Sequence, residues 1–473
     1  METVPQRGLN GRVGYQPRGK CLGGSSAINA MVYSRGSRHD YDAWERAGCN
    51  GWGYKDVLPY FKKSENNIRG ASEYHGGDGL LHVSEQLSPR SISEEFVKAG
   101  EAYGLDRNDD FNGARQDGVG HYQVTHFHGE KQGQRCSTAA AFLHPFEDRR
   151  SNLTIITGAH AKRIVVENKI AKGVVFQHGK EEKTVNAKKE VLVCGGALLS
   201  PQLLMLSGIG PAQHLQAHGI NLAHDLPSVG ENLHDHPDMV FDYGVNTKDV
   251  FGIGFTAGVN LLQAAFQWRK DGSGRLSTNY AESGAFFSVG NAPTDWPNIQ
   301  LHFTIARVMD HGRSLKWGYG VSCHICYLRP RSRGTLRLNS NNPLAPPRID
   351  PAFLEHEEDV QMMLEGAKHT REIMAQAPLA KYITRDYVTS NVKTDDDLMH
   401  IVRNKTDTIY HPVGSCRMGS DNEAVVDTQL RVRGIDGLRV IDASVMPAVN
   451  SANTNAPTIM IAEKAADIIK ADA

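Results

Sequence analysis

At 473 residues, with 40% hydrophobic and 22% charged side chains, the chain is too long for one ordinary core and has ample apolar content for a soluble globular protein of two domains. A net charge of -1, without basic runs or aromatic-basic interleaving, excludes an electrostatic footprint for nucleic acid. Seven scattered cysteines, an odd number, point to a reducing compartment.

In chain order, the N-terminus is polar and Gly-rich, with no secretory signal. The stretch PRGKCLGGSSAINAMVYSRGSRHDYDAW, residues 17 to 44, sets Gly23, Gly24, Ser25 and Ser26 immediately ahead of an apolar helix-like run. Small residues there leave backbone N–H groups bare, a place suited to phosphate oxygens. Residues 53–66 and 92–104 predict surface helices that cover the core. From 153 the runs LTIITGA, KRIVVEN, KGVVFQHG and KTVNAKKEVLVCGG alternate as strands, predicting a β-meander that returns to a central sheet.

The uncharged run 191–211 has the length of a membrane span, but Gly195 and Gly196 interrupt it after a strand-like EVLVC. Ser200 and Pro201 fit a helix cap and its first residue, so the run predicts strand, turn and short helix. Between 237 and 427, strand-like NIQLHFTIA, GVSCHICYLRP and GTLRLNS and helix-like DVQMMLEGAKHTREIMAQ predict a second domain on an antiparallel sheet, whose facing surface forms the substrate pocket. The nearest match to a G-x-G-x-x-G turn, GIGFTA at 252–257, has Ala257 in the third glycine place and no clean strand before it. It reads as a loop ahead of a helix-like NLLQAAFQWRK. GLRVIDAS then predicts a buried strand, and Pro457 the first turn of a closing helix with apolar Ile459, Met460, Ile461, Ala465, Ile468 and Ile469.

No metal site is predicted. Cys323 and Cys326 form a C-x-x-C inside a strand, where residues three apart point to opposite faces and cannot share a metal or a disulfide. The pairs His126/His128 and His234/His236 lack companion ligands and read as ordinary polar positions.

Three ordered strings carry a resemblance: residues 17 to 44, YHPVGSCRMG at 410 to 419, and RVIDASVMPAVNSANTNAPTIMIAEKAADII at 439 to 469. With GALLSPQLLMLSGIGP and VGENLHDHPD between them, the chain resembles the glucose–methanol–choline (GMC) family of FAD-dependent alcohol oxidoreductases from about residue 4 to 469. The resemblance implies an α/β FAD-binding domain of discontinuous segments 1–36, 153–236 and 428–473. It implies a second, α+β substrate domain with an antiparallel sheet from 37–152 and 237–427. That family opens with a dinucleotide-binding βαβ unit, and METVPQRGLNGRVGYQPRGK reads as the loop that follows it. The FAD domain is therefore expected to be incomplete at its N-terminus, and the chain alone nearly flavin-free or poorly soluble.

By resemblance, His411 of the HP motif is the base that takes the hydroxyl proton, and Asn453 is its partner on the substrate oxygen. Gly23, Ser25, Asn29, Ala30 and Val32 match positions touching pyrophosphate or flavin, Ala161 lies near the adenine, and Asn455 begins the helix that approaches the flavin pyrimidine. Ile28 stands where some members attach FAD through a histidine, so FAD is expected to be noncovalent. The implied reaction is oxidation of a primary alcohol to the aldehyde by hydride transfer to FAD, with electrons passed to a quinone-like acceptor. Choline dehydrogenase is an alternative, as is an FAD-poor, inactive member. Choline needs an aromatic or acidic cage, for which Trp52, Trp296, Trp317 and Glu282 are candidates. The implied location is cytoplasmic, with peripheral association at the inner membrane left open.

Overall fold

The computed structural model describes the whole chain except Leu315 and Ala473, and except the side chains of Phe255, Thr256, Ala257 and Val259. Helix α1 (Arg38–Arg46) starts at a reciprocal box: Ser37 Oγ accepts from His39 N, and Asp40 reaches back to Ser37 N. α2 (Tyr54–Ser64) and α3 (Ser91–Tyr103) stand where the sequence predicts helices and bury Val57 and Phe61, and Ile92, Phe96 and Val97.

After β1 (Gly118–His121), the meander forms as β2 (Ala159–Glu167), β3 (Ile170–His178) and β4 (Glu181–Asn186), paired antiparallel in that order. Of LTIITGA only Ala159 belongs to it. Residues 153–157 pair with no strand among the described residues, and Leu153 and Ile156 stay exposed. A strand without a neighbour has nowhere to place its N–H and C=O groups. β5 (Val191–Val193) leads into α4 (Gly196–Leu206), which starts earlier than Ser200 and Pro201 predict and carries Pro201 inside it. Ser200 does not cap the helix. Its Oγ accepts from Gly195 N at 2.9 Å and donates to Asp442 Oδ2 at 2.5 Å, tying the turn to a distant part of the chain.

The second half supplies β6 (Pro237–Val245), α5 (Phe255–Asp271), β7 (Ala281–Phe287), β8 (Ile299–Thr304), β9 (Gly318–Tyr327), α6 (Glu357–Met374), β10 (Ile383–Asp386), β11 (Leu438–Val440) and α7 (Asn455–Ala471). The segment 252–257 is the short strand Gly252–Ile253 and the start of α5, not a loop; the side chains at 255 to 257 lie outside the described residues.

The large sheet runs β10–β6–β9–β8–β7–β1, every pair antiparallel. Its strands alternate. Ile299, Leu301, Phe303, Val321, Cys323, Ile325, Met239 and Phe241 point to one side and pack with α3 and α6, where Phe96 stacks on Phe303 with centroids 4.6 Å apart. The opposite side carries Asp238, Gln300, His302, His324 and Cys326. The register places Asp238, Cys326 and Gln300 in one row and His324 beside His302 in another. Cys323 and Cys326 therefore lie on opposite faces, as their spacing predicts.

β5 and β11 form a two-stranded parallel pair, with Val191 opposite Leu438 and Val193 opposite Val440. One core gathers their buried side chains with Leu198, Leu204, Ile459, Met460 and Ile461, and also takes in Trp44, Trp52 and Phe61. The outward side of β5 is uncovered, with Leu192 45% exposed. No helix among the described residues is long and apolar enough to cross a membrane.

Candidate active site

His411 lies just beyond Asp407–Thr408, a short strand that pairs with β6, and its main chain is fixed before its ring is. Asp235 Oδ1 accepts from His411 N at 2.9 Å, while Thr408 Oγ1 donates to Asp235 Oδ2. Tyr410 sits at φ 74°, a left-handed conformation costly for an aromatic residue. It is held there by its N–H to Thr408 Oγ1 at 2.6 Å, its carbonyl to Arg18 Nη2 at 3.0 Å, and its hydroxyl to His311 Nδ1 at 2.8 Å. Burial pushes the Asp235 carboxyl up to about 7, against the pull of Thr408, Arg18 and the His411 N–H.

The ring is oriented by hydrogen bonds that each run in only one direction. His236 Nε2 lies 3.1 Å from the carbonyl of Leu328, which can only accept, so Nε2 carries the proton and Nδ1 of neutral His236 is an acceptor. His411 Nδ1, 3.0 Å away, must then donate to it, which leaves His411 Nε2 without a proton.

A second chain arrives from the sheet. Tyr122 donates to Leu301 O at 2.7 Å, so its oxygen accepts from Gln300 Nε2 at 3.2 Å. The same Nε2 donates to Asn453 Oδ1 at 3.1 Å, which turns Asn453 Nδ2 toward His411 Nε2 at 3.2 Å and His302 Nε2 at 3.5 Å. Both chains meet at one point, where an amide N–H faces an imidazole lone pair.

Burial keeps these imidazoles neutral. It pushes His236 and His302 down to about 3 and holds His411 well below the ordinary imidazole range, with His236, His302 and Arg18 adding to the effect at His411. A buried neutral imidazole with an unprotonated Nε2, facing an amide donor, can take a proton from a hydroxyl that displaces the amide, which then holds the oxygen.

His302, Gln300, Asp235 and Arg18 were given no role in the sequence reading, and His236, read with His234 as an ordinary polar position, instead contacts His411. His234 fits that view: Nδ1 bonds Asn232 O at 2.6 Å and Nε2 accepts from Val449 N at 3.0 Å. Gln300 and His302 had a usable signal, since they alternate with Ile299, Leu301 and Phe303 and mark the polar face of a strand.

The residues expected at the cofactor are arranged differently. Gly23 and Gly24 are left-handed at φ 85° and 53°, and a Cβ on Gly24 would meet nothing within 4 Å. Ser25 and Ala30 are exposed. Asn29 Oδ1 accepts from Met31 N at 3.0 Å and Arg135 Nη1 at 2.7 Å, and Ala30 O accepts from Asn279 Nδ2 at 2.8 Å. Val32 is buried and bridges Val124. Asn455 opens α7, whose N-terminus has no side-chain cap. Ala161 stands apart on β2, exposed and without a hydrogen bond to the Gly23–Val32 segment. Ile28 and Leu22 are exposed apolar side chains in the same segment, and Gly196 also has open space at its Cβ position. Open space beside the Gly24 and Gly196 backbone, a helix start without a side-chain cap and uncovered apolar side chains fit a flat, partly apolar, anionic group such as FAD. Gln300 Oε1 and Asn450 Oδ1, buried without hydrogen-bond partners, add acceptors near Asn453.

The four cage candidates do not converge. Trp52 is in the core, bonded to Thr428 O; Glu282 is taken by Ser93, Thr278 and Arg90 N; Trp296 bonds Asp40 and Ser451; and Trp317 is 69% exposed.

The GMC oxidoreductase family models match residues 4–238 and 330–462. An alcohol dehydrogenase (acceptor) of Pseudomonas putida is 47% identical over 474 residues, spanning 99% of this chain and 85% of its own. Human mitochondrial choline dehydrogenase is 41% identical over 472 residues, 99% of this chain and 78% of its own. Among solved structures, formate oxidase of Aspergillus oryzae RIB40 superposes with a TM-score of 0.90 at 27% identity, covering 100% of this chain and 87% of its own.

Proposed function

The chain belongs to the GMC oxidoreductase family, and from that premise we propose that it oxidises an uncharged primary alcohol to the aldehyde at His411 and Asn453. The observation that carries this reading is the unprotonated His411 Nε2, 3.2 Å from the Asn453 amide. A hydroxyl that replaces this direct contact accepts from Asn453 Nδ2 and donates to His411 Nε2. As the O–H bond breaks, the proton moves to Nε2, the carbinol C–H bond releases a hydride and the C=O bond forms. Bound FAD supplies the acceptor for that hydride. Asn453 holds the developing negative oxygen without changing charge, and Gln300 keeps its amide from turning. His411 is neutral beforehand because of its burial, so it needs no deprotonation to act.

Gly23, Ser25, Asn29, Ala30, Val32, Ala161 and Asn455 would hold FAD, noncovalently because Ile28 offers no attachment. Segments 1–36, 153–236 and 428–473 form the cofactor domain in this reading, and 37–152 and 237–427 the substrate domain. Electrons leave to a quinone-like acceptor, with the protein peripheral at the cytoplasmic side of a membrane. Choline is disfavoured by the dispersal of Trp52, Trp296, Trp317 and Glu282.

The test is turnover by purified, FAD-supplemented protein on straight-chain primary alcohols and choline, with dye reduction, peroxide and aldehyde followed together. One dye reduced per aldehyde, with the straight-chain alcohols preferred, is expected. Stoichiometric peroxide would make the protein an oxidase, and preference for choline would overturn the substrate class.

A further inference from the structure

Helix α5 keeps an apolar stripe in solvent beside its polar side. Gly258, Leu261, Leu262, Ala265, Phe266 and Arg269 are all exposed and fall within an arc of about 140° at 100° per residue. Leu261, Leu262 and Phe266 keep 49%, 66% and 76% of their surface in solvent; Ala264, beside Leu261, is buried, and Gln263, Gln267 and Lys270 make an exposed polar side across the helix. A surface helix ordinarily turns such a stripe to the core.

The surroundings say what would cover it. Trp317, 69% exposed, lies against Gly254 at the start of the helix; Tyr280, also exposed, packs on Phe251; and Trp268 bonds Gly133 O at 3.3 Å. Tryptophan and tyrosine favour the boundary between lipid and water. Arg269 and Lys270 are exposed at the far end, where they outnumber the single carboxylate of Asp271, held ionised by hydrogen bonds from Ser273, and Lys248 and Lys316 are exposed near the beginning. This combination of an apolar stripe, flanking aromatics and basic ends matches a helix lying in a membrane interface.

A second copy of the chain fits less well. One helix of 17 residues is about 25 Å long and offers three large side chains, well short of the ~1,200 Å² of a stable interface, and the basic ends would face each other across a two-fold axis.

We propose that the exposed face of α5, with Trp317 and Tyr280, docks on an anionic lipid surface. This rests on the peripheral placement proposed above and names the surface that achieves it. Both ends of α5 lean on segments that reach the site. The connection carrying Trp317 also carries His311, which bonds Tyr410 beside His411, and the Gln132–Gly133 turn under the other end precedes Arg135, which holds Asn29. Docking would therefore set the approaches to the site beside the acyl region, where lipophilic alcohols and quinones concentrate.

The experiment is sedimentation of the full chain with vesicles of phosphatidylcholine, alone and mixed with phosphatidylglycerol. The protein is expected to sediment with the mixed vesicles and to be partly released by salt. The double variant Leu262→Glu/Phe266→Glu should lose more than tenfold in partitioning while keeping its dye-coupled activity and circular dichroism, and Leu344→Glu, on an exposed loop elsewhere, should bind as the unmodified chain does. Equal binding by the double variant would overturn the surface assignment and leave the peripheral reading standing. No binding of the unmodified chain to either vesicle would overturn both. Concentration-dependent self-association abolished by Phe266→Glu, without vesicle binding, would assign the face to a second copy instead.

Discussion

The proposed catalytic pair and the segments proposed for the cofactor differ in how far their own residues fill the space around them. Around His411, side chains close on one another in directed chains: Asp235 fixes the main chain, His236 the tautomer, and Gln300 the amide of Asn453. Around Gly24, Gly196 and the start of α7, the chain offers open space, a helix start without a side-chain cap and exposed apolar side chains instead. One region is closed by its own residues; in the proposed reading the other is completed by FAD. Changes at the first should therefore alter chemistry without altering cofactor content, and changes in FAD should be felt at the second.

The largest effect is expected from His411→Ala. Loss of the base should lower kcat/KM about 10³-fold with flavin content unchanged, read by steady-state kinetics and flavin absorbance. Loss of flavin together with activity would mean that the two regions are not separable. Asn453→Ala should cost about 10²-fold, mainly in kcat, because the amide acts where charge develops on the substrate oxygen. FAD at about a hundred times its Kd should stabilise the chain by about 2.7 kcal/mol and slow amide exchange along Gly23–Val32 more than around His411. His236→Phe removes one acceptor and should cost roughly tenfold, with recovery in His236→Asn, whose amide can still accept from His411 Nδ1–H.

A separate effect, absent at neutral pH, is on stability in acid. His236 and His302 have folded pKa values of about 3, below the unfolded value near 6.5, so below pH 6.5 the unfolded state binds more protons. Stability is unaffected above 6.5 and falls by about 1.4 kcal/mol per pH unit for each such histidine as pH drops from there toward 3. His302→Gln should flatten the fall by one histidine's share in urea titrations; an unchanged slope would place the proton elsewhere.

Much of this division was legible in the sequence, and unevenly. The HP motif and the NSANTN string pointed to His411 and Asn453, and the alternation in IQLHFT and VSCHICY predicted the antiparallel sheet that faces them. The partners were harder to read because they are distant in sequence: His236 meets His411 across 175 positions, and Gln300 meets Asn453 across 153. Strand register and tautomer choice bring them together, and neither has a local signature. LTIITGA failed as a strand because its apolar spacing was read without a pairing neighbour. Ser200 failed as a cap because its hydroxyl is taken by Asp442, a partner 242 positions away. The outward apolar face of α5 could be read as periodicity, but not which side of the helix the core would cover.

The central claim is that His236 contributes only by fixing which nitrogen of His411 is free to accept the proton. The most direct test is a double-mutant cycle on kcat/KM in flavin-loaded protein, combining His411→Ala with His236→Phe. The account predicts that His236→Phe costs roughly tenfold when His411 is present and essentially nothing when it is absent. An equal loss in both backgrounds would contradict it, because His236 would then act on the reaction independently of the base.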